Sequence, residues 1–206
     1  MTKAILKSLI VFTGVFCLFS HAFSQAWQWQ NPLPTGNPIT AIDFVDSLNG
    51  WFASSAGTIL HTSDGGNNWE IQHTGVDAFF TSVDFVDLEY GWGAGVVEDI
   101  TGGAIVHTSN GGEVWTVQRI DSTTAFDVIT FIDRKHGWAA GQGDKIFRTA
   151  DGGVTCEGVE FEKLGQPRVL SIAFVDSLRG WAGGNSFTPF LFTKDGGRSW
   201  QAETTV

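Results

Sequence analysis

The stretch FVDSLNGW at residues 44–51 decides the fold, because close copies of it recur three times further along the chain. The copies are FVDLEYGW at 85–92, FIDRKHGW at 131–138 and FVDSLRGW at 174–181. Successive copies begin 41, 46 and 43 residues apart. Periods of roughly 40 to 45 residues are typical of four-stranded propeller blades. The sequence therefore predicts a repeat protein.

Apolar and polar residues alternate around each copy, so that Ile42 and Phe44 share one face of a strand. The equivalent pairs are Val83 with Phe85, Ile129 with Phe131, and Ile172 with Phe174. In the first unit this pattern predicts four short strands, at 39–45, 51–54, 58–62 and 69–74. No helix is predicted after residue 25. Each sheet has two apolar faces and needs a neighbour on either side, as blades in a ring provide.

A second repeated signature is the turn TSDGGNNW at 62–69, which recurs at 108–115, 149–156 and 193–200. The Asp or Asn side chain can accept backbone N–H bonds across such a turn, and the paired glycines adopt conformations that a Cβ would obstruct. We therefore predict structural roles for the turn residues Asp64, Asn110, Asp151 and Asp195, and for the tryptophans Trp51, Trp69, Trp92, Trp115, Trp138, Trp181 and Trp200.

Tryptophan burial should contribute much of the stability. A buried Trp removes about 150 to 250 Å² from water. Truncation of Trp51 or Trp69 to Ala is therefore expected to cost on the order of 3 to 5 kcal/mol. The third turn has lost its Trp and carries Cys156 in that place.

The turns resemble the Asp-box, or BNR repeat, and the whole unit resembles the Ycf48/Hcf136-related family over residues 27–206. The resemblance implies an all-β β-propeller, commonly of seven blades, whose Asp-boxes lie on the side away from the ligand-binding face. Photosynthetic members of that family assist assembly of photosystem II by binding a reaction-centre protein. This chain departs from those members in its acidic balance and its few arginines.

The repeats divide residues 25–206 into four recognisable four-stranded blades. Their predicted bounds are about 39–80, 81–126, 127–168 and 169–206, after a leading strand at 27–30. The leading strand resembles an outer strand, yet the fourth unit already has an outer strand that begins at Trp200. We therefore expect an incomplete or open propeller, whose open edge favours self-association.

Residues 1–24 have the pattern of a signal peptide, with two lysines, an apolar run at 9–19 and small residues near the end. The apolar run is short for a membrane span, which needs about 20 residues. We expect an exported protein, periplasmic or extracellular. Loss of the leader, which has two Lys and no acid, changes the net charge from −10 to −12. Such a charge disfavours nucleic acid as a partner.

Function is expected on the connections between second and third strands and between successive blades, which vary in length as binding loops do. We interpret the chain as a non-catalytic binding or scaffolding module for a protein or glycan. No cofactor, metal ligand or catalytic residue is predicted. The candidate ligand-face residues are Glu98, Asp99, His73, Asp77, Arg119, Asp121, Lys163 and Arg168.

Several chemical alternatives remain open. Glu98 with Asp99 could supply oxygen ligands to calcium or act in a glycan-processing hydrolase. His61 and His107 share a register, but separate blades place them too far apart for one metal ion. Cys156 remains as the single cysteine after the leader, so no internal disulfide can form. A sialidase is disfavoured because Tyr90, the one tyrosine, lies at the turn end of a blade.

Overall fold

The computed structural model describes residues 35–55, 57–97, 102–162 and 165–202. These residues form four four-stranded antiparallel sheets, in each of which the strands follow one another in chain order. None of the described segments forms a helix long and apolar enough to cross a membrane. The predicted leader at 1–24 and leading strand at 27–30 lie outside the described residues.

The strand bounds agree with the repeat pattern. The first sheet contains β1 (Ile39–Phe44), β2 (Gly50–Ser54), β3 (Thr58–Thr62) and β4 (Glu70–His73). The second contains β5 (Ala78–Phe85), β6 (Gly91–Val97), β7 (Gly103–Thr108) and β8 (Thr116–Asp121). In the first sheet every strand end lies within one residue of its predicted position.

The third sheet contains β9 (Phe126–Phe131), β10 (Gly137–Gly141), β11 (Lys145–Thr149) and β12 (Glu157–Glu160). The fourth contains β13 (Val169–Phe174), β14 (Gly180–Gly184), β15 (Leu191–Thr193) and β16 (Gln201–Ala202). The sheet boundaries depart slightly from those proposed from sequence. Phe80 and Phe126 belong to the sheets that follow them, where both are fully buried.

Neighbouring sheets are joined by an aromatic stack that is repeated three times. Trp51 stacks on Phe85 of the next sheet, with ring centroids 3.6 Å apart and an interplanar angle of 7°. The equivalent stacks are Trp92 on Phe131 at 3.5 Å and Trp138 on Phe174 at 3.4 Å. We call the contact between two successive sheets a blade joint. All three joints use the Trp and the Phe of the FVDxxxGW repeat.

The glycine of the repeat has a steric role in the joint. A Cβ on Gly91 would collide with the ring of Phe85, and a Cβ on Gly137 would collide with Phe131. Each Phe ring thus lies over the glycine of its own sheet and beneath the Trp of the preceding sheet. The spacing between the Phe and the Gly-Trp pair is therefore dictated by the stack.

Polar groups fix the register of each joint. The indole nitrogen of Trp51 donates to the Gly111 carbonyl in the next sheet at 3.1 Å, and Trp92 donates likewise to Gly152 at 3.2 Å. The third copy is Trp138 with Gly196, at 3.0 Å. These bonds satisfy the single donor of a buried Trp, which would otherwise be costly to desolvate.

The first two joints contain a further hydrogen bond, which starts from the first strand of a sheet. The hydroxyl of Thr40 donates to the Phe80 carbonyl at 2.6 Å, and that of Thr81 donates to the Phe126 carbonyl at 2.8 Å. Together with apolar contacts, the joints produce three separate buried clusters, one for each pair of adjacent sheets. The core is thus divided among the joints rather than gathered in one place.

Among the described residues, the two ends of the array lack a joint. Trp181, the equivalent of the buried Trp51, Trp92 and Trp138, is 37 % exposed. Phe44, the equivalent of Phe85, is 41 % exposed. The prediction of an open propeller is confirmed for the described residues. The structural role predicted for Trp181 stays a prediction, because the described residues include no sheet that follows the fourth one and covers its face.

Trp69 also differs from its sequence-based interpretation. It lies edge-on to Phe44 at 6.2 Å and packs against Phe52, but it is only partly buried because Phe44 is itself at the open end. Its equivalents Trp115 and Trp200, which pack against internal joints, are buried. Removal of Trp69 should therefore cost less than the range expected for a fully buried tryptophan.

Matched tryptophan truncations test the joint. Trp92→Ala should lower the free energy of unfolding by about 3 to 5 kcal/mol, because it removes a fully buried ring and leaves a cavity. Trp181→Ala changes the same residue in the same register of the fourth sheet, and should cost about 1 kcal/mol or less. Urea denaturation of the two variants measures both values. Equal losses would show that the stack is not what stabilises adjacent sheets.

Candidate binding face

The described sheets have two unlike ends. The turn end holds the β1–β2 and β3–β4 connections of the first sheet and their equivalents in the others. The loop end holds the β2–β3 connection, its equivalents and the connections between sheets. The two turns of each sheet meet, since the Gly65 amide donates to the Leu48 carbonyl at 2.8 Å. The equivalent bonds, at 2.8 to 2.9 Å, start from Gly111, Gly152 and Gly196.

At the turn end, the polar side chains are occupied by the turns themselves. Asp64 accepts from the Asn68 amide at 2.8 Å, and the Thr62 hydroxyl accepts from the Gly66 amide, also at 2.8 Å. The hydrogen bond from the Asn68 amide lowers the pKa of Asp64. The same Asp or Asn contact recurs at Asn110, Asp151 and Asp195. These residues therefore build turns, as their repetition indicates.

The loop end exposes both apolar and charged side chains. Phe79, at the start of β5, is 36 % exposed, and Phe187, between β14 and β15, is 47 % exposed. His73 and Asp77, two of the predicted ligand-face residues, are exposed near the connection between the first and second sheets. Exposed aromatic rings beside charged groups are common features of protein-binding surfaces.

Arg168 does not extend freely from the loop end. Its guanidinium makes two hydrogen bonds to the Asp127 carboxylate, at 2.7 and 2.6 Å. Asp127 follows Phe126 in β9, the position that Thr40 and Thr81 occupy in the first two sheets. Its side chain is only 7 % exposed. The ion pair thus replaces the threonine hydrogen bond at the third joint, and Arg168 connects two sheets.

Arg119 lies between the second and third sheets. It pairs with Asp121 at 2.5 Å, its Nη1 lies 3.1 Å from the Cys156 sulfur, and its guanidinium lies 4.5 Å above the Phe147 ring. Burial opposes ionisation of Asp121, but hydrogen bonds from Thr123 and Arg119 prevail and lower its pKa to about 2. Arg119 and Asp121 are thus brought together, and each neutralises the other.

The remaining predicted ligand-face residues, Glu98, Asp99 and Lys163, lie outside the described residues. In the part of the chain that is described, no cluster of three or more His, Cys, Asp or Glu side chains could hold a metal ion.

His61 and His107 pack within their own sheets. The His61 ring is stacked on Trp51, with centroids 4.6 Å apart, and the His107 ring lies 5.1 Å from Trp92. Burial lowers the pKa of both imidazoles. Arg148, at the same position of the third sheet, donates to the Gly196 carbonyl at 3.1 Å. This position therefore supports the tryptophan of the joint.

Cys156 occupies the place of a tryptophan and leaves space behind it. In the fourth sheet, Trp200 lies edge-on to Phe174 at 5.9 Å. In the third sheet, Cys156 is too small to make this contact with Phe131. A cleft of about 30 Å³ remains, lined in part by Phe131, Phe147 and Arg119. Arg119 extends into this region, which accounts for its contact with the cysteine sulfur.

Sequence reasoning missed two carboxylates in the first strands of their sheets, Asp43 in β1 and Asp84 in β5. Asp43 accepts from the Phe85 amide at 2.7 Å, and Asp84 accepts from the Phe131 amide at 2.8 Å. Burial raises the pKa of Asp84 to about 7, and the neighbouring charge of Asp43 contributes. Both could have been identified from the sequence as acids directly before the Phe of the repeat, in a strand that packs against a neighbouring sheet.

A carboxyl group with a pKa near 7 often marks a catalytic acid. Here the same hydrogen bond is made by Asp43 one sheet earlier, so the arrangement repeats with the fold. Both carboxylates bind the backbone of the next sheet. We therefore assign Asp84 to the second joint, where it is a structural group.

The pKa of Asp84 predicts a pH dependence of stability. Its folded-state pKa of about 7 lies above the ordinary value of 3.8, so the folded chain holds the proton more tightly than the unfolded chain. This contribution to stability is complete below about pH 4 and is lost as the pH rises to about 7. Relative to Asp84→Asn, the wild-type chain should lose up to about 1.4 kcal/mol for each step of one pH unit within that window.

Urea denaturation of both proteins from pH 4.5 to pH 8 measures this difference. Titrating groups that do not interact with Asp84 contribute equally to both chains, so their effects cancel in the comparison. Parallel stability profiles would show that Asp84 is not perturbed in the folded state.

Comparisons with known proteins agree with this architecture. A family model described as Photosynthesis system II assembly factor YCF48 matches residues 19–124 and 114–205. The photosystem II stability/assembly factor HCF136, chloroplastic, of Guillardia theta is 37% identical over 59 residues. Those residues are 28% of this chain and only 15% of the relative.

Solved structures show the same fold. YCF48 from Cyanidioschyzon merolae has a TM-score of 0.62 at 20% identity, over 84% of this chain and 59% of its own. YCF48 bound to a D1 peptide has a TM-score of 0.53 at 19% identity, over 83% of each chain. An ancestral GH74 enzyme has a TM-score of 0.68 at 17% identity, over 87% of this chain and 25% of the enzyme.

At such identities the structural neighbours indicate a shared propeller fold and nothing about activity. The family model, in contrast, matches most of the sequence, including the repeats from which the joints are built. The chain therefore belongs to the family of the photosystem II assembly factor YCF48.

Proposed function

We propose that this protein is an exported, non-catalytic propeller that binds a segment of a protein partner on its loop end. The observation that carries the proposal is the contrast between the two ends. The polar groups of the turn end are occupied by repeated hydrogen bonds. Apolar side chains are exposed at both ends, but those in the turns of the turn end are Leu and Val, whereas the loop end exposes the aromatic rings of Phe79 and Phe187, together with Asp77. A family member whose structure contains a D1 peptide gives a precedent for a peptide ligand.

The charge of the chain favours a basic segment. The sequence has 22 acidic and 12 basic residues, which gives a net charge of −10. At the loop end, Arg119 and Arg168 are neutralised by Asp121 and Asp127. Opposite charge speeds association and disfavours acidic competitors. We therefore propose a partner segment that combines Lys or Arg with apolar side chains, which would contact the exposed phenylalanines.

A photosystem assembly role would be one instance of this activity, with a membrane-complex subunit as the partner. The glycan-processing alternative has weaker support. The GH74 neighbour is similar in fold alone, and two acids of the loop end, Asp121 and Asp127, are paired with arginines. The acids predicted for a hydrolase, Glu98 and Asp99, lie outside the described residues. A glycan ligand is retained as an outcome of the test.

A displayed random peptide library, selected on the purified chain, tests the proposal. Enriched peptides should be basic and contain large apolar residues, and their affinity should fall as the salt concentration rises. The variants Phe79→Ser and Phe187→Ser should each weaken binding by about tenfold, the loss of one apolar anchor. A D1 peptide is tested in parallel, since a relative binds one.

The matched control is Val154→Ser, which alters an 81 % exposed apolar residue at the turn end. This variant should bind the selected peptides as tightly as the wild-type chain. Absence of enriched peptides, or equal loss of binding in the control, would contradict the proposal. Release of sugar from a glycan panel would support the hydrolase alternative instead.

A further inference from the structure

The two open faces of the array expose side chains that are buried at every internal joint. On the first sheet, Ile39, Ile42 and Phe44 form a surface that we call the leading face, and they are 52, 59 and 41 % exposed. Their equivalents in the second, third and fourth sheets are almost fully buried, with the exception of the half-buried Phe174. The leading face is therefore one half of a joint.

The opposite surface, which we call the trailing face, carries Trp181 and Phe190 on the fourth sheet. These residues are 37 and 54 % exposed. Trp51 and Ile59, the corresponding residues of the first sheet, are fully buried against the second sheet. The trailing face is thus the other half of the same joint.

We infer that the trailing face of one copy of this chain binds the leading face of a second copy. Trp181 would stack on Phe44 of that copy, as the three internal tryptophans stack on their phenylalanines. The Gly65 carbonyl has the position of Gly111, and would accept the hydrogen bond from the Trp181 indole nitrogen. No new type of contact is required, because each partner supplies the half-joint that the other lacks.

Two such contacts close a dimer. The described sheets of each copy have one leading and one trailing face, so two copies related by a twofold axis would bury both faces of both arrays. The described sheets of the two copies would then make a ring of eight blades, which is within the range of four to eight typical of propellers. This inference does not depend on the proposed peptide binding, which uses the loop end.

The joint between copies should be weaker than the internal ones. Leu170 occupies the position of Thr40, and Ala173 occupies the position of Asp43. Neither side chain can supply the polar contacts to the next sheet that Thr40 and Asp43 make. The intermolecular joint therefore depends on aromatic stacking and apolar contact, and the dimer should dissociate on dilution.

Sedimentation equilibrium over a range of concentrations tests the inference. The wild-type chain should approach twice the monomer mass as concentration rises. Trp181→Ala and Ile42→Glu should each raise the dimer dissociation constant by about tenfold or more, since each alters both joints of the ring. Val154→Ala, which removes apolar surface at the turn end, should leave the dissociation constant unchanged.

Mixing experiments distinguish this arrangement from other dimers. Trp181→Ala retains an intact leading face, and Ile42→Glu retains an intact trailing face. A mixture of the two variants should therefore associate more tightly than either alone, because one wild-type joint can form. A dimer made by pairing two trailing faces would lose affinity in Trp181→Ala but not in Ile42→Glu.

A wild-type chain that stays monomeric at all concentrations would overturn the inference. So would a dimer whose dissociation constant is unaffected by either variant, or a mixture no tighter than its components. Both altered side chains are more than one-third exposed, so the variants should fold. Unchanged thermal unfolding of the diluted monomers checks this directly.

Discussion

The structure depends on a tryptophan of one sheet lying flat on a phenylalanine of the next. Each internal stack has centroids within 3.6 Å and nearly parallel rings. The indole donor is satisfied by a turn carbonyl of the neighbouring sheet, so the ring can be buried without an unpaired polar group. A blade with two apolar faces cannot be stable alone, and each joint buries one of these faces against a neighbouring sheet.

Other features follow from this constraint. The glycine before each tryptophan leaves room for the phenylalanine of its own sheet. At the turn end, the Gly111, Gly152 and Gly196 carbonyls accept the indole hydrogen bonds of the joints. Carboxylates such as Asp84 are drawn into the interface to bind backbone amides, and burial then raises the pKa. The loop end takes no part in the stacks, which leaves it available for binding a partner.

Much of the architecture could be predicted from the sequence, because phased copies of one unit specify a propeller. The strands of the first sheet lie within one residue of their predicted bounds, and Trp51, Trp92 and Trp138 are buried. The exposure of Trp181 is not visible in its motif, which has the same Phe, Asp, Gly and Trp as the other copies; in the described residues no sheet follows the fourth one. Arg168 and Arg119 were placed among the binding residues because their contacts are with residues distant in sequence. Arg168 binds Asp127, which lies 41 residues earlier, and Arg119 lies above the Phe147 ring.

A double-mutant cycle between Trp92 and Phe131 tests the central claim most directly. The variants Trp92→Leu, Phe131→Leu and their combination are compared with the wild-type chain by urea denaturation. The stack predicts a favourable coupling of about 0.5 to 1.5 kcal/mol. A control cycle of Trp181→Leu with Phe131→Leu, which are not stacked on each other, should be additive to within about 0.5 kcal/mol. A coupling of zero between Trp92 and Phe131 would contradict the account.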